Sequence, residues 1–354
     1  MAHKEITDAQ IRHAEIFTAI YQKHEGKSAE LRELECLKVQ YPATLLPIRD
    51  KDLFAGMRNP GVVGFAPKNE DGFGYYCHVN DMEGYLAEEG NTEENKKRIR
   101  TLLDFWKVEQ SKARVRAAFP EDMQKALPYD GLEEANAAFP LYRMAGWVLD
   151  YSKLMELGIP GLIAEIGQCQ KEHPQEILYQ AMDGALELVI CCGKHYIGEI
   201  DEELQKMENL SDQRKKQLMR IRESLAAICV HAPKTMHEAM QLAWLYSLLC
   251  VTMDYGRMDD YIGEFYTRDL ESGRLTQTEA QEYVNSFWTM VADTDESVHG
   301  RVMIGGRGRK NEASADAFAL LAMEASRQCA ISHSSVFDCI RDVILRFLRK
   351  PWMC

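Results

Sequence analysis

The chain has 354 residues and carries 42 Lys and Arg against 55 Asp and Glu, a formal charge of −13. Its apolar content of 46% excludes a disordered chain, and its acidic balance argues against a nucleic-acid surface, where Lys and Arg must be in excess. The length suits roughly two average domains or one large α/β barrel, and is ample for a complete enzyme.

No apolar run of signal-peptide length opens the sequence, and no stretch reaches the roughly 18 uninterrupted apolar residues of a membrane helix. A soluble, cytoplasmic protein without membrane or nucleic-acid partners is the expectation. Ten scattered cysteines with no CxxC pair read as reduced thiols rather than a disulfide framework or a zinc ribbon.

Along the chain, Ile11, Ile16 and Ile20, then Leu31, Leu34 and Leu37, recur at helical spacing and predict two helices broken near Gly26. Residues 41–80 alternate Pro, Gly and aromatics and predict an irregular segment with short strands at most. Thr92, followed by Glu93 and Glu94, suits a helix start running toward Phe119. Further helices are expected at Tyr151–Cys169, interrupted by Gly158 and Pro160, and at Ile177–Leu204. Ser211 caps the next, to Cys229, and Thr235 with Glu238 reads as a capping box opening a helix to Cys250. The last helices fall near Asp259–Glu271, Thr276–Val291 and Ser314–Gln328, with one buried strand at Val302–Ile304 ahead of Gly305 and Gly306. The fold class is α/β, predominantly helical.

Several residue clusters bear chemistry. Cys191–Cys192 could relay a radical or exchange disulfides, but lies in an apolar helical context where buried cysteine acts as a small hydrophobe. Cys192 and His195 could face one metal ion, yet two ligands are too few, and His231 and His237 do not share a face; no metal site is expected. The run from Gly305 to Lys310 lacks both GxxxxGK[ST] and GxGxxG and reads as a tight basic turn from strand to helix. Asp254, Tyr255, Arg257, Asp259 and Asp260 follow a strongly apolar segment. They suit a pocket wall and an Asp-rich helix cap equally well.

The segment GRMDDYIGEFYTRDLESGRLTQTEAQEYVNSFW, starting at Gly256, resembles the GR-[LMF]-D-[QED]-Y…DL-x-x-G-x-[LI]-[ST]-x-x-E-A segment of the glycyl radical enzymes, the pyruvate formate-lyase family. RIRESLAAICVHAPKTMHEAMQLAWLY resembles its P-x-x-T-x-x-E-A-[LM]-Q helix pair. Asp150-Tyr151, Lys153-Leu154, Gly158 and Gly161-Leu162-Ile163 resemble its DY-x-K helix, and RVMIGGRGRKNEASADAFALLAMEA a strand-to-helix segment of one subgroup. These collinear matches span about residues 45–328.

The resemblance implies the N-terminal part of a β/α barrel with outer helices. Residues 1–328 would form one pyruvate formate-lyase-like N-terminal region, a single domain with an incomplete barrel, and 329–354 an atypical tail from a truncated or frameshifted frame. It implies radical C–C or C–X cleavage of a small molecule, of formate acetyltransferase or dehydratase type. The family binds no cofactor directly; an S-adenosylmethionine/iron–sulfur activating enzyme installs a glycyl radical, which oxidises a catalytic cysteine. No GCxE-like or RVxGY-like motif occurs in these residues, so no catalytic residue is assigned and the chain is expected to be inactive alone. Many dehydratase-type members carry His after the Gly at 146; here Trp147 stands there, which can stack and donate one hydrogen bond but cannot exchange protons as His does. Trp147, Asp254, Tyr255, Arg257 and Asp259 are the substrate-contact candidates. A homodimer or a missing C-terminal half are the partner expectations. The alternatives are a non-catalytic helical binding or scaffold protein derived from the fold, and one half of a split enzyme.

Overall fold

The structure is a computed structural model and describes residues 7–59, 61–65, 75–77, 79–88, 90–110, 113–114, 117–126, 148–206, 210–250, 254–294 and 301–329. The expected tail at 329–354 lies, but for Cys329, outside them. The chain divides into two compact units, one of residues 1–45 and 59–146, the other of 46–58 and 147–354. The chain crosses between them three times, and two of the crossings, at 45–46 and 58–59, fall within the Pro- and Gly-rich segment 41–80.

The first unit contains α1 (Asp8–Lys23) and α2 (Ala29–Thr44). The chain then passes through the two-residue strands β1 (Leu45–Leu46) and β2 (Met57–Arg58), which pair with each other. In the first unit there follow the antiparallel pair β3 (Val63–Phe65) and β4 (Tyr75–Cys77), then α3 (Val79–Ala87), α4 (Glu93–Glu109) and α5 (Glu121–Ala126). Capping sets the starts: Thr7 and Gln10 form a capping box on α1, and the Ser28 and Thr92 hydroxyls accept from Leu31 and Asn95 on α2 and α4. Helix α4 ends at Glu109, ten residues before the Phe119 expected from pattern. Its apolar stripe of Ile99, Leu102, Leu103 and Trp106 closes a core with Ile11, Phe17 and Tyr21 of α1. Trp106 is fully buried, and its indole N–H reaches Thr18 Oγ1 at 2.8 Å, so the large ring brings no unpaired donor into the core.

The second unit contains α6 (Tyr151–Glu172), α7 (Ile177–Gln205), α8 (Asp212–Ile228), α9 (Met236–Leu249), β5 (Asp254–Arg257), α10 (Met258–Glu271), α11 (Gln277–Ala292), β6 (Arg301–Met303) and α12 (Glu312–Gln328). Helix α9 is buried nearly all round, as its continuous apolar run requires. Its Thr235 hydroxyl accepts from Glu238 N, but the Glu238 carboxylate reaches Lys234 N at 2.7 Å rather than Thr235, so the capping box forms one residue out of step. Helix α12 starts two residues before the expected Ser314, because Asn311 supplies the cap.

Residues 46–56 form a strap, with a turn at Arg49–Asp52, clamped by side chains of the surrounding helices. Tyr196 donates to Leu46 O, Glu199 accepts from Ile48 N, and Arg214 donates to Arg49 O and Asp52 O, both at 2.8 Å. Gln241 bonds both the N–H and C=O of Ala55, and Trp244 Nε1 donates to Gly56 O at 2.6 Å. Between the paired residues of β1 and β2 the strap has its buried backbone groups satisfied this way, which explains polar residues on an otherwise apolar α9.

Helix α6 is kinked at Gly158, whose φ of 62° belongs to the left-handed region. A Cβ there would stand 2.7 Å from Ala232 Cα and 2.9 Å from Ala232 N, both backbone atoms that cannot swing away. Gly158→Ala is therefore expected to cost about 2 kcal/mol. Gly167→Ala, in the same helix with open space at the Cβ, should be neutral or stabilise by up to about 1 kcal/mol. Urea unfolding of the two variants checks this; equal effects would show that the close approach does not matter.

Candidate functional site

Strand β5 and strand β6 pair in parallel, with Asp254 opposite Arg301 and Arg257 opposite Met303, and α10 and α11 form the crossover between them. β5 is short and polar and the sequence pattern did not disclose it; its strand character follows from this pairing. Both strands point their C-terminal ends at one place, the start of α10 and the turn 304–310. In barrels and open parallel sheets this is the end where chemistry is housed.

Three glycines shape that turn, Gly305, Gly306 and Gly308, with φ of 84°, 89° and 84°. The first turn of α10 grips it. Arg257 donates to Gly305 O at 2.5 Å and Arg307 O at 3.1 Å. Asp259 accepts from Gly305 N at 2.7 Å and from Arg309 Nη1 at 3.0 Å, and Asp260 from Lys310 N at 2.7 Å. Arg309 also bonds Glu312 and reaches Asp316 at 2.7 Å, so one guanidinium ties α10, the turn and α12 together. The Asp259 side chain is fully buried and that of Arg309 is 3% exposed. Burial raises the Asp259 carboxyl above the ordinary range, opposed by its bonds to Gly305 and Arg309. Its Oδ1 is buried and has no hydrogen-bond partner among the described residues.

Behind β5 lies a buried aromatic group. Tyr255 sits 5.2 Å from Phe287, and Tyr151 stacks on Tyr261 at 4.8 Å. Tyr261 OH donates to Tyr255 O at 2.8 Å, and Tyr151 OH shares a 2.6 Å hydrogen bond with Ser247 Oγ. Burial holds the Tyr151 and Tyr261 phenols above their ordinary range, so both are neutral donors at pH 7.

The structure thus brings Tyr255, Arg257 and Asp259 to one strand end. Asp254 sits at the start of the same strand, where its Oδ1 accepts from Gly256 N at 3.1 Å. Trp147 lies outside the described residues; its neighbour Val148 stands over Gly256, with Cγ1 2.7 Å from where a Cβ would be. The clamp made by Arg309, Glu312 and Asp316 was not singled out from sequence. The only available signal was the GRGRK run, which gives a basic turn but not its partners. Elsewhere, Cys192 is buried and its thiol is pushed up to about 12, while Cys191 beside it is exposed, so the two do not share the buried role expected of the pair. Among the described residues no three His, Cys, Asp or Glu side chains could hold a metal ion, and no helix is long and apolar enough to cross a membrane.

The profile of the family described as pyruvate formate lyase-like matches residues 2–336. The chain belongs to this family. The match takes in the N-terminal helices ahead of the motifs that begin near residue 45, and runs past residue 328 into the tail. Among curated relatives, a trans-4-hydroxy-L-proline dehydratase of Clostridioides difficile is 24% identical over 78% of this chain and 37% of its own length. An isethionate sulfite-lyase of Oleidesulfovibrio alaskensis is 23% identical over 80% of this chain and 37% of its own. Among solved structures, the B12-independent glycerol dehydratase of Clostridium butyricum superposes with a TM-score of 0.74 at 18% identity, covering 98% of this chain and 49% of that one. The hydroxyproline dehydratase of Clostridioides difficile gives a TM-score of 0.67 at 19% identity, over 92% and 45%. The fold is that of glycyl radical enzymes, mixed α/β and mainly helical. The chain spans about two fifths to half the length of the relatives it matches.

Proposed function

We propose that this chain is the N-terminal portion of a glycyl radical lyase of the dehydratase or carbon–heteroatom-cleaving type. It would supply outer helices and the first parallel strands, while the thiyl cysteine and the radical glycine come from residues outside these 354. The family membership carries the reading, together with relatives named as dehydratases and sulfite-lyases. The absence of GCxE-like and RVxGY-like motifs from this sequence supports the division of labour.

In this reading Arg257 and Asp259 position the 305–310 turn at the strand ends, and Asp254 and Tyr255 shape strand β5 beneath it. Trp147 is the candidate that touches a small-molecule substrate. The required partners are the remainder of the barrel and an activating enzyme that uses S-adenosylmethionine and an iron–sulfur cluster to install the glycyl radical. Burial of that radical from water and oxygen fits anaerobic cytoplasm.

Anaerobic electron paramagnetic resonance after incubation with such an activating enzyme tests the proposal. The chain alone should give no glycyl radical doublet. A product extended by the downstream reading frame, or mixed with a second chain carrying the missing motifs, should give one. A doublet on this chain alone would overturn the division of labour. No family-like coding sequence downstream, together with a monodisperse and cooperatively melting chain, would favour the scaffold reading instead.

A further inference from the structure

A groove of about 430 Å³ opens in the second unit between α8 and α11, with Leu53 of the strap and His237 of α9 on its floor. A second lobe of about 310 Å³ continues from it along Gln217, Asn285 and Thr289. Both helical walls are charged. Helix α8 presents Lys216 and Arg220, one turn apart, followed by Glu223, and helix α11 presents Glu279 and Glu282 beside Tyr283.

These charges are only partly engaged. Among the described residues neither Lys216 nor Glu282 has an ion-pair or hydrogen-bond partner, while Arg220 approaches Glu223 of its own helix at 3.8 Å and acts electrostatically on Glu279 and Tyr283 of the facing wall. Glu279, on the same wall as Glu282, is engaged by Thr276 N and Oγ1 as a helix cap, which leaves Glu282 as the free acid. No pair within 4.0 Å joins α8 to α11 across the opening, so the groove holds opposite charges apart. The floor between them is aromatic: His237 meets Tyr283 edge-on at 4.8 Å. Burial keeps His237 neutral, its imidazole pushed down to about 3, so at pH 7 the floor adds no charge.

We propose that this groove binds a small zwitterion of the α-amino-acid class, with its carboxylate at Lys216 and Arg220, its ammonium at Glu282 and an apolar side chain on Tyr283 and His237. A simple anion would face the carboxylates of Glu223, Glu279 and Glu282, and a simple cation would face Lys216 and Arg220. A molecule carrying both charges satisfies both walls at once. The volume suits a single amino acid or a very short peptide, and Gln213 and Gln217 add uncommitted hydrogen-bonding groups on the α8 wall.

Isothermal titration and saturation-transfer NMR on the full chain, with L-phenylalanine, phenylalaninamide and N-acetylphenylalanine as probes, test this. L-phenylalanine should bind saturably, and each blocked derivative should bind about tenfold more weakly. Arg220→Gln should weaken L-phenylalanine by a similar factor while leaving phenylalaninamide unchanged. Glu282→Gln should weaken L-phenylalanine while leaving N-acetylphenylalanine unchanged. Arg220 and Glu282 are both on the open surface, and matched melting curves confirm the fold; Lys216→Gln is a second variant for the carboxylate side. No saturable binding at millimolar concentration, equal binding of all three probes, or variants that weaken every probe alike would overturn the proposal.

Discussion

Replacing Arg309 with methionine is expected to destabilise the second unit by about 3–5 kcal/mol, the scale for breaking a buried ion pair by removing one partner. The reason lies with Asp259 rather than with the arginine. Asp259 is fully buried and keeps only the Gly305 N–H once Nη1 is gone, while its Oδ1 already lacks a partner among the described residues. A carboxylate in that position must either hold its charge with half its support or take up a proton. The pH dependence follows with its sign. Burial already sets the folded carboxyl above its unfolded value, and without Arg309 it climbs further. The folded state then binds the proton more tightly than the unfolded chain, so stability falls as pH rises from the unfolded value through the folded one. The deficit of Arg309→Met should be complete near pH 8 and shrink in acid. Arg309→Lys keeps the charge but not the fork to Asp259, Glu312 and Asp316, and should lie in between. Urea titrations followed by tryptophan fluorescence at pH 8 and pH 5 read both effects. A deficit that does not change with pH would mean that Asp259 is not the group left stranded.

The second large effect expected is an acid loss of stability governed by His237. This imidazole is buried, stacks on Phe54 at 4.8 Å, shares a 2.7 Å bond at Nδ1 with Ser224 and a 2.9 Å bond at Nε2 with Leu53 O. The carbonyl accepts only, so Nε2 carries the proton and Nδ1 accepts from the serine hydroxyl. Both nitrogens are used by the neutral form. Burial, reinforced slightly by Arg220, pushes the folded value down to about 3, against about 6.5 for an exposed histidine. The folded state therefore binds fewer protons than the unfolded one below pH 6.5. The stability is present in full above that value and is lost as pH falls toward 3, at up to about 1.4 kcal/mol per pH unit. His237→Gln keeps an amide donor and acceptor but no titrating group. It should start about 1–2 kcal/mol less stable at pH 7.5 and then fall less steeply than the natural chain between pH 6.5 and 4.5. Parallel curves for the two proteins would sink the assignment. His13, buried in the first unit, is also shifted downward by desolvation, so the measurement should follow a signal of the second unit.

Both effects arise from residues that sequence inspection passed over or weighed differently. In the sequence His237 stands out only by its nearness to His231, with which it does not share a helix face. Its actual partners are a serine thirteen residues earlier and a strap carbonyl at Leu53, and helical periodicity reports neither. Asp259 was singled out, but as one of an Asp-rich group suited to either a pocket or a cap. Arg309 was read only as part of a basic turn. Their pairing joins positions 50 residues apart, with the rest of α10, the helix α11 and the strand β6 between.

The elements themselves were far more legible. Caps at Ser211, Thr235 and Thr276 are written as side chains within four residues of the backbone groups they satisfy, so their signal is local. The break at Gly158 was visible for the same reason, although the collision with Ala232 that makes glycine necessary was not. Glycyl radical family membership was legible too, because GRMDDY, the DY helix and the T-x-x-E-A helix keep their order along the chain.

Most helices, the caps at Ser211 and Thr235 and the family are written in short-range backbone chemistry or motif order, whereas the early end of α4 and the Asn311 cap of α12 are not. Tertiary structure alone decided that Asp254–Arg257 is a strand, because a four-residue polar segment becomes one only when Arg301–Met303 pairs with it. It also decided that residues 46–56 run as a strap, because their backbone groups are satisfied by side chains as far as 233 residues away, Leu53 N by Ser286 Oγ. Long-range hydrogen bonds of that kind leave no periodic trace in either partner.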